Sequence, residues 1–129
     1  MNQEQSLIKV DSGLLSALSK GTFSIDVFAR EILVLECLIA GTSFRELDKV
    51  QDDLKETVQL EMKREIDNKF DGFAVSLWFQ QTKVGYIPKD KNEVIARLMD
   101  AGKQFYATIH AKEMEGNWLK LEIKVVLKD

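Results

Sequence analysis

The segment Asp67-Asn68-Lys69-Phe70-Asp71-Gly72 brings acids, an amide, a cation and an aromatic ring together within one turn. Asn and Asp side chains commonly hydrogen-bond their own backbone in such places, so Asp71 reads as a turn cap or as a carboxylate for a ligand. Phe70 reads as a core ring or as an exposed one. Alternation sets Phe73, Val75, Leu77 and Phe79 on one face and leaves Phe70 outside it, yet on the residues alone the core reading of Phe70 is the favoured one. Downstream, Val84-Gly85-Tyr86-Ile87-Pro88-Lys89 sets a phenol and an ammonium on either side of a proline corner. Pro88 fixes its own backbone angle and lacks a donor, so Tyr86 and Pro88 either shape the corner or Tyr86 presents chemistry there, and Lys89 reads as a solvated surface lysine or as a cation for a ligand. Phe44 is an aromatic in a polar loop.

No catalytic constellation accompanies these residues. A zinc site needs about four Cys, His or carboxylate ligands, and the chain has one cysteine, Cys37, and one histidine, His110. A nucleophile needs an orienting base, and the single histidine precedes no orienting motif. The glycines form neither a Walker A loop nor a dinucleotide fingerprint. The carboxylates show no spacing that singles out an acid/base pair. The residues point to a binding protein without catalytic activity or cofactor.

The chain has 129 residues, enough for one domain with one core. It contains no apolar run long enough to span a membrane, and Met-Asn-Gln-Glu-Gln lacks the basic start of a signal peptide. Cys37 lies in an apolar run, which suits a buried thiol in a cytoplasmic protein. The net charge of −3 argues against a protein that coats duplex DNA. The charge is uneven: residues 1–56 hold 6 basic and 10 acidic residues, the remainder 12 and 11. An anion-binding surface must therefore be local and lie in the second part.

These residues need elements to position them. Residues 9–20 predict a short helix with Leu14, Leu15 and Leu18 on one face, ended by Gly21. Residues 1–30 read as an appendage, partly helical, and 31–129 as the domain. From Ile32 to Ala40 the run is nearly all apolar, as in a strand covered on both faces. Val58, Leu60 and Met62 alternate along a half-buried strand. Phe73 to Phe79 predicts a strand that returns through Val84 to Ile87 in a hairpin. Asp90 as N-cap with Glu93 predicts a capping box, opening a helix with Val94, Ile95, Leu98 and Met99 as its stripe and Gly102 at its end. Two strands close the chain, with Phe105, Ala107, Ile109 and Ala111 inward on one and Leu119, Leu121, Ile123, Val125 and Leu127 inward on the other. Packing is expected for Trp78 and Trp118, and exposure for His110. The fold class is mainly β with one or two helices, a small closed or partly open barrel with the helix across one open end.

The stretch from Arg64 to Val75, Arg64-Glu65-Ile66-Asp67-Asn68-Lys69-Phe70-Asp71-Gly72-Phe73-Ala74-Val75, resembles the signature of the HIRAN domain family. The step Gly85-Tyr86-Ile87-Pro88-Lys89 into a helix, and Ile39-Ala40-Gly41-Thr42-Ser43-Phe44 upstream, are also similar to that family. The resemblance covers about residues 31–128. It departs from the family at Ile66 and Lys69, which replace prolines and predict a turn with less built-in restraint. Phe70 stands for a tyrosine, and Ser43 for a basic residue.

The resemblance implies an OB-like barrel and a domain found fused to helicases and nucleases or standing alone in bacteria. It further implies binding of single-stranded DNA at its 3′ end, in repair or processing. Carried over by position, Phe44 and Phe70 would stack bases and Asp71 would accept a hydrogen bond from the terminal hydroxyl. Tyr86 and Lys89 would lie near the terminal phosphates, with Arg64 supporting the site. The alternative is a protein-interaction module, or an accessory subunit of a helicase or nuclease, that keeps the fold with weak or no DNA binding.

Overall fold

The computed structural model describes residues 31–44 and 47–128, except for the Phe44 side chain. The expected helix over residues 9–20 lies outside them. Six strands, β1 (Ile32–Leu38), β2 (Gln59–Arg64), β3 (Val75–Phe79), β4 (Thr82–Tyr86), β5 (Gln104–Glu115) and β6 (Trp118–Lys128), form one antiparallel sheet in the order β1-β6-β5-β2-β3-β4. Strand order alone leaves the sheet open. Immediately after β1, however, Ala40 pairs with Tyr86 at the end of β4. Its N–H donates to the Tyr86 carbonyl at 2.8 Å, and the Tyr86 N–H donates back at 2.9 Å. The two edges thus meet at one point. The fold is the expected mainly β, OB-like barrel, partly open.

Alternation explains the interior. Leu60 and Met62 of β2, Phe105, Ala107 and Ile109 of β5, and Leu119, Leu121, Ile123 and Val125 of β6 are buried in one cluster with Val75, Leu77 and Val84. Burying such side chains is worth ~1.5–3 kcal/mol each, which makes this cluster the main source of stability. Leu47 and Leu54 seal it from the connecting segment before β2. Register slips, one in β1 between Leu33 and Leu35, one in β4 opposite Leu77/Trp78 and one in β5 between Ile109 and Ala111, mark bulges that bend the sheet.

The bulge in β5 corrects one expectation. It takes Ala111 off the face of Phe105, Ala107 and Ile109 and sets it opposite Glu122, while Lys112 comes to lie opposite Leu121. A second correction concerns β1. Among the described residues it pairs only with β6, and Ile32, Leu33 and Val34 are exposed rather than covered on both faces. His110 and Trp118 are exposed, and Trp78 is half-buried.

The helix α1 (Glu93–Asp100) packs Ile95 and Ala96 into the core, with Leu98 and Met99 beside them, against β2 and β5. Val94, expected in the stripe, is 70% exposed. The helix ends as expected: Gly102 takes φ +96°, and Lys103 N–H reaches Leu98 O while Gly102 N–H reaches Met99 O. Its start differs. The N-cap is Asn92, not Asp90, and no side chain caps the first turn. Asp90 instead belongs to a turn in which Lys91 N–H bonds Pro88 O at 2.9 Å.

Closure depends on Gly85. A Cβ at that position would strike the Ala40 carbonyl and lie 2.6 Å from Ile39 Cγ2. Gly85→Ala should therefore lower stability by ~1–3 kcal/mol, the usual cost of overpacking. Gly72→Ala, with open space around it, should change stability by less than ~0.5 kcal/mol. Urea unfolding midpoints of the two variants check this.

Candidate nucleic-acid interface

Barrel closure brings three segments around one cavity of about 490 Å³. Ala40 forms one side, the turn residues Asn68, Phe70 and Asp71 another, and Tyr86, Ile87 and Lys89 the third. The size falls within the ~300–1,000 Å³ usual for small-ligand sites.

The turn holds itself by polar contacts. Asn68 Oδ1 accepts from the Phe70 N–H at 2.8 Å and from the Asp71 N–H at 3.0 Å. Asp71 Oδ1 accepts from the Phe73 N–H at 2.9 Å, and Asp71 Oδ2 from Asn92 Nδ2 at 2.7 Å. The restraint that Ile66 and Lys69 do not supply as prolines therefore comes from side-chain acceptors. The turn-cap reading of Asp71 is realised, and the carboxylate also lines the cavity. An ionised carboxylate offers about four acceptor sites, so two bonds do not exhaust it.

Held this way, Phe70 stands out of the surface at 88% exposure. Phe73 is the ring that turns toward the core, with the Arg97 guanidinium 5.0 Å from its centre. Lys89 is exposed, and its Nζ donates to the Phe70 carbonyl at 3.0 Å, which ties the corner after β4 to the turn.

Arg64 is not brought to the cavity. Its guanidinium bonds both Asp100 oxygens at 2.9 and 3.1 Å and the carbonyls of Ala74 and Gly72 at 3.0 Å each. It clasps the turn to the end of α1, so its support is structural. Phe44 closes a short 3-10 turn, Thr42–Phe44, four residues after the cavity residue Ala40. Its ring lies outside what the structure describes.

Glu65, Asn92 and Lys83 escaped the sequence reading. Glu65 Oε1 accepts from the Tyr86 hydroxyl at 2.9 Å and from Asn68 Nδ2 at 3.1 Å, and Glu65 Oε2 meets Lys83 Nζ at 2.6 Å. The carboxylate thereby joins the turn to β4 and fixes the Tyr86 ring in the cavity wall. Only the turn composition around Glu65 hints at this, since Tyr86 and Lys83 lie on another strand. Partial burial would raise the Glu65 pKa, but hydrogen bonds from Lys83, Asn68 and Tyr86 outweigh it and hold the carboxyl at about 2. The same bond to Glu65 raises Lys83.

The folded value lies below the ordinary 4.5, so the contribution of Glu65 to stability is present above pH 4.5 and is lost as pH falls through about 2. Glu65→Gln should be less stable than the parent near neutrality, and the two should converge over that acid window. Thermal melts between pH 2 and 7 check it; a constant difference across the window would contradict the network.

A model of the HIRAN domain family matches residues 32–128. Among solved structures, the crystal structure of a protein from Lactobacillus plantarum is similar over 75% of this chain and 94% of its own, at 23% identity and a TM-score of 0.69. The crystal structure of the HIRAN domain of human HLTF is similar over 72% of this chain and 73% of its own, at 14% identity and a TM-score of 0.58. At these identities the likeness is one of fold. No curated protein matches the chain. The family match begins with the first residue of β1 and ends with the last of β6, and the chain belongs to the HIRAN domain family.

Proposed function

We propose that the domain binds single-stranded DNA at a free 3′ end, in DNA repair or processing, and performs no catalytic step itself. The observation that carries this reading is the cavity in which an exposed ring, a carboxylate and an ammonium meet: Phe70, Asp71 and Lys89. A ring exposed beside a cavity suits base stacking, worth ~1–3 kcal/mol per base and indifferent to base identity. Lys89 supplies a donor toward a phosphate. Asp71 repels phosphate but accepts from a hydroxyl, so a terminal nucleotide fits where an internal one does not. The Tyr86 ring backs the site, and Arg64 supports it by holding the turn. Phe44 as a second platform follows from the family resemblance.

A competing reading, a protein-interaction module or an accessory subunit of a helicase or nuclease, draws on Ile66 and Phe70, 73% and 88% exposed on one loop.

Anisotropy titration of a short labelled oligonucleotide at low salt separates the two. The proposal expects micromolar affinity, about −8 kcal/mol, for a free 3′ end and weaker binding when that end carries a phosphate. Equal affinity would overturn end recognition, and no binding would favour the protein partner. Phe70→Ala should cost ~1–3 kcal/mol with either terminal base. Lys89→Ala should shrink the salt slope by ~0.7, and its unfolding midpoint, measured in parallel, controls for the lost bond to the turn.

A further inference from the structure

We propose that the outer face of the sheet carries a second contact surface for the strand, running from the terminal cavity past Tyr86 to Trp78 and Tyr106. The inference rests on the nucleic-acid reading above and extends it.

Register sets the face. Glu61 pairs with Trp78 on one side and Tyr106 on the other, Trp78 with Lys83, and Ser76 with both Lys63 and Tyr86. Directly paired residues in an antiparallel sheet share a face. Three aromatic rings and two lysines therefore line one surface. Gln104 pairs with Lys128, which adds a third lysine beside Tyr106. From β4 to β5 is three strand spacings, about 15 Å.

Cations lie over the rings along the whole path. Lys83 Nζ is 5.1 Å from the Tyr86 ring and 5.5 Å from that of Trp78; Lys63 Nζ is 4.4 Å from Trp78, and Lys128 Nζ 5.9 Å from Tyr106. The Trp78 indole N–H donates to Ser76 Oγ at 2.8 Å, which fixes the ring in its plane. At the far end lies a cavity of about 510 Å³, lined by Trp78, Tyr106 and Lys128 of this face together with the Glu61 carboxylate, and reaching Met99 and Phe105 of the inner side.

Two of the acids near the rings are held by partners, and a third lies at the edge of ion-pair range. Glu65 is held by Lys83 at 2.6 Å, Glu31 bonds the Tyr106 hydroxyl, and Glu61 lies 4.0 Å from Lys63. Lysines over half-exposed rings can equally be packing. Such contacts are weak in water, however, so a base displaces them while the ammonium moves to the neighbouring phosphate. Alternating rings and lysines along one face is the pattern by which single strands are held without sequence preference.

The test uses the full chain with Trp118→Phe, which leaves Trp78 as the sole tryptophan. It is titrated with a thymidine dinucleotide, which reaches only the terminal cavity, and with a thymidine decanucleotide. The decanucleotide should quench Trp78 emission and bind at least tenfold tighter, whereas the dinucleotide should compete for the site without quenching. Lys63→Gln with Lys128→Gln should weaken the decanucleotide severalfold, reduce its salt slope by ~1.4, and leave the dinucleotide unchanged. Equal affinities with unchanged emission would overturn the second surface and leave end binding standing. Quenching and affinity indifferent to a 3′-phosphate would keep the surface and overturn end binding. No binding of either oligonucleotide would overturn both.

Discussion

Two hydrogen bonds between Ala40 and Tyr86 are the constraint on which the rest of the molecule depends. Strand order puts β1 and β4 at opposite edges, with four strands between them. Without that bridge, the residues after β1 and the corner after β4 would share nothing. With it, Ala40, the turn before β3 and the residues from Tyr86 to Lys89 enclose one space. The approach is possible because Gly85 has no side chain to hold the Ala40 carbonyl away. Three bulges supply the bending that an open sheet needs to bring its edges together.

Presenting a phenyl ring to water has a cost, and the turn is built to bear it. A ring left out of the core forgoes ~1.5–3 kcal/mol, so the segment carrying it cannot rely on that ring as an anchor. The anchoring passes to polar groups: Asn68 and Asp71 cap the turn, Arg64 clasps its far side to Asp100, and Lys89 holds the Phe70 carbonyl. Asn92, only 1% exposed, donates its amide N–H to Asp71 and makes no side-chain cap on the first turn of α1. The N-cap residue of α1 thus orients the carboxylate in the cavity while the first turn goes without a side-chain cap.

That exchange explains where sequence reading succeeds and where it stops. The strands, the hairpin, the turn at 67–72 and the end of α1 rest on local periodicity and local turn chemistry, and all are legible. Phe70 is not separable from Phe73 by residue pattern alone, because it lies in the turn before β3, where strand alternation does not reach, and the residues by themselves favour a core ring. The helix start was misread because Asp90 and Glu93 have the right spacing, whereas the decisive partner of Asn92 lies 21 residues upstream. Ala111 was misplaced because a bulge leaves no mark in composition. Glu65 is not legible as a hub, and Arg64, expected to support the site, is not legible as a clasp onto α1, for the same reason: their partners are 21 and 36 residues away on other elements. Beyond local pattern, Phe70, Asp71, Tyr86 and Lys89 are candidates through the family resemblance, and all four line one cavity.

The charges around that cavity bear on how an acidic chain can attract a nucleic acid at all. Glu65 takes up Lys83, so that ammonium adds little net field. Lys89 and Asp71 both line the cavity and bring one charge each, of opposite sign. An isolated anion gains from the first and loses to the second, and the balance is near zero. A group that pairs an anion with a hydroxyl donor gains from both, since Asp71 retains acceptor sites beyond those used by Phe73 and Asn92. Selectivity on this scheme comes from the opposed pair rather than from overall charge, and a net of −3 is compatible with it. A strongly basic surface would bind phosphate anywhere along a strand and lose the distinction between an end and an interior.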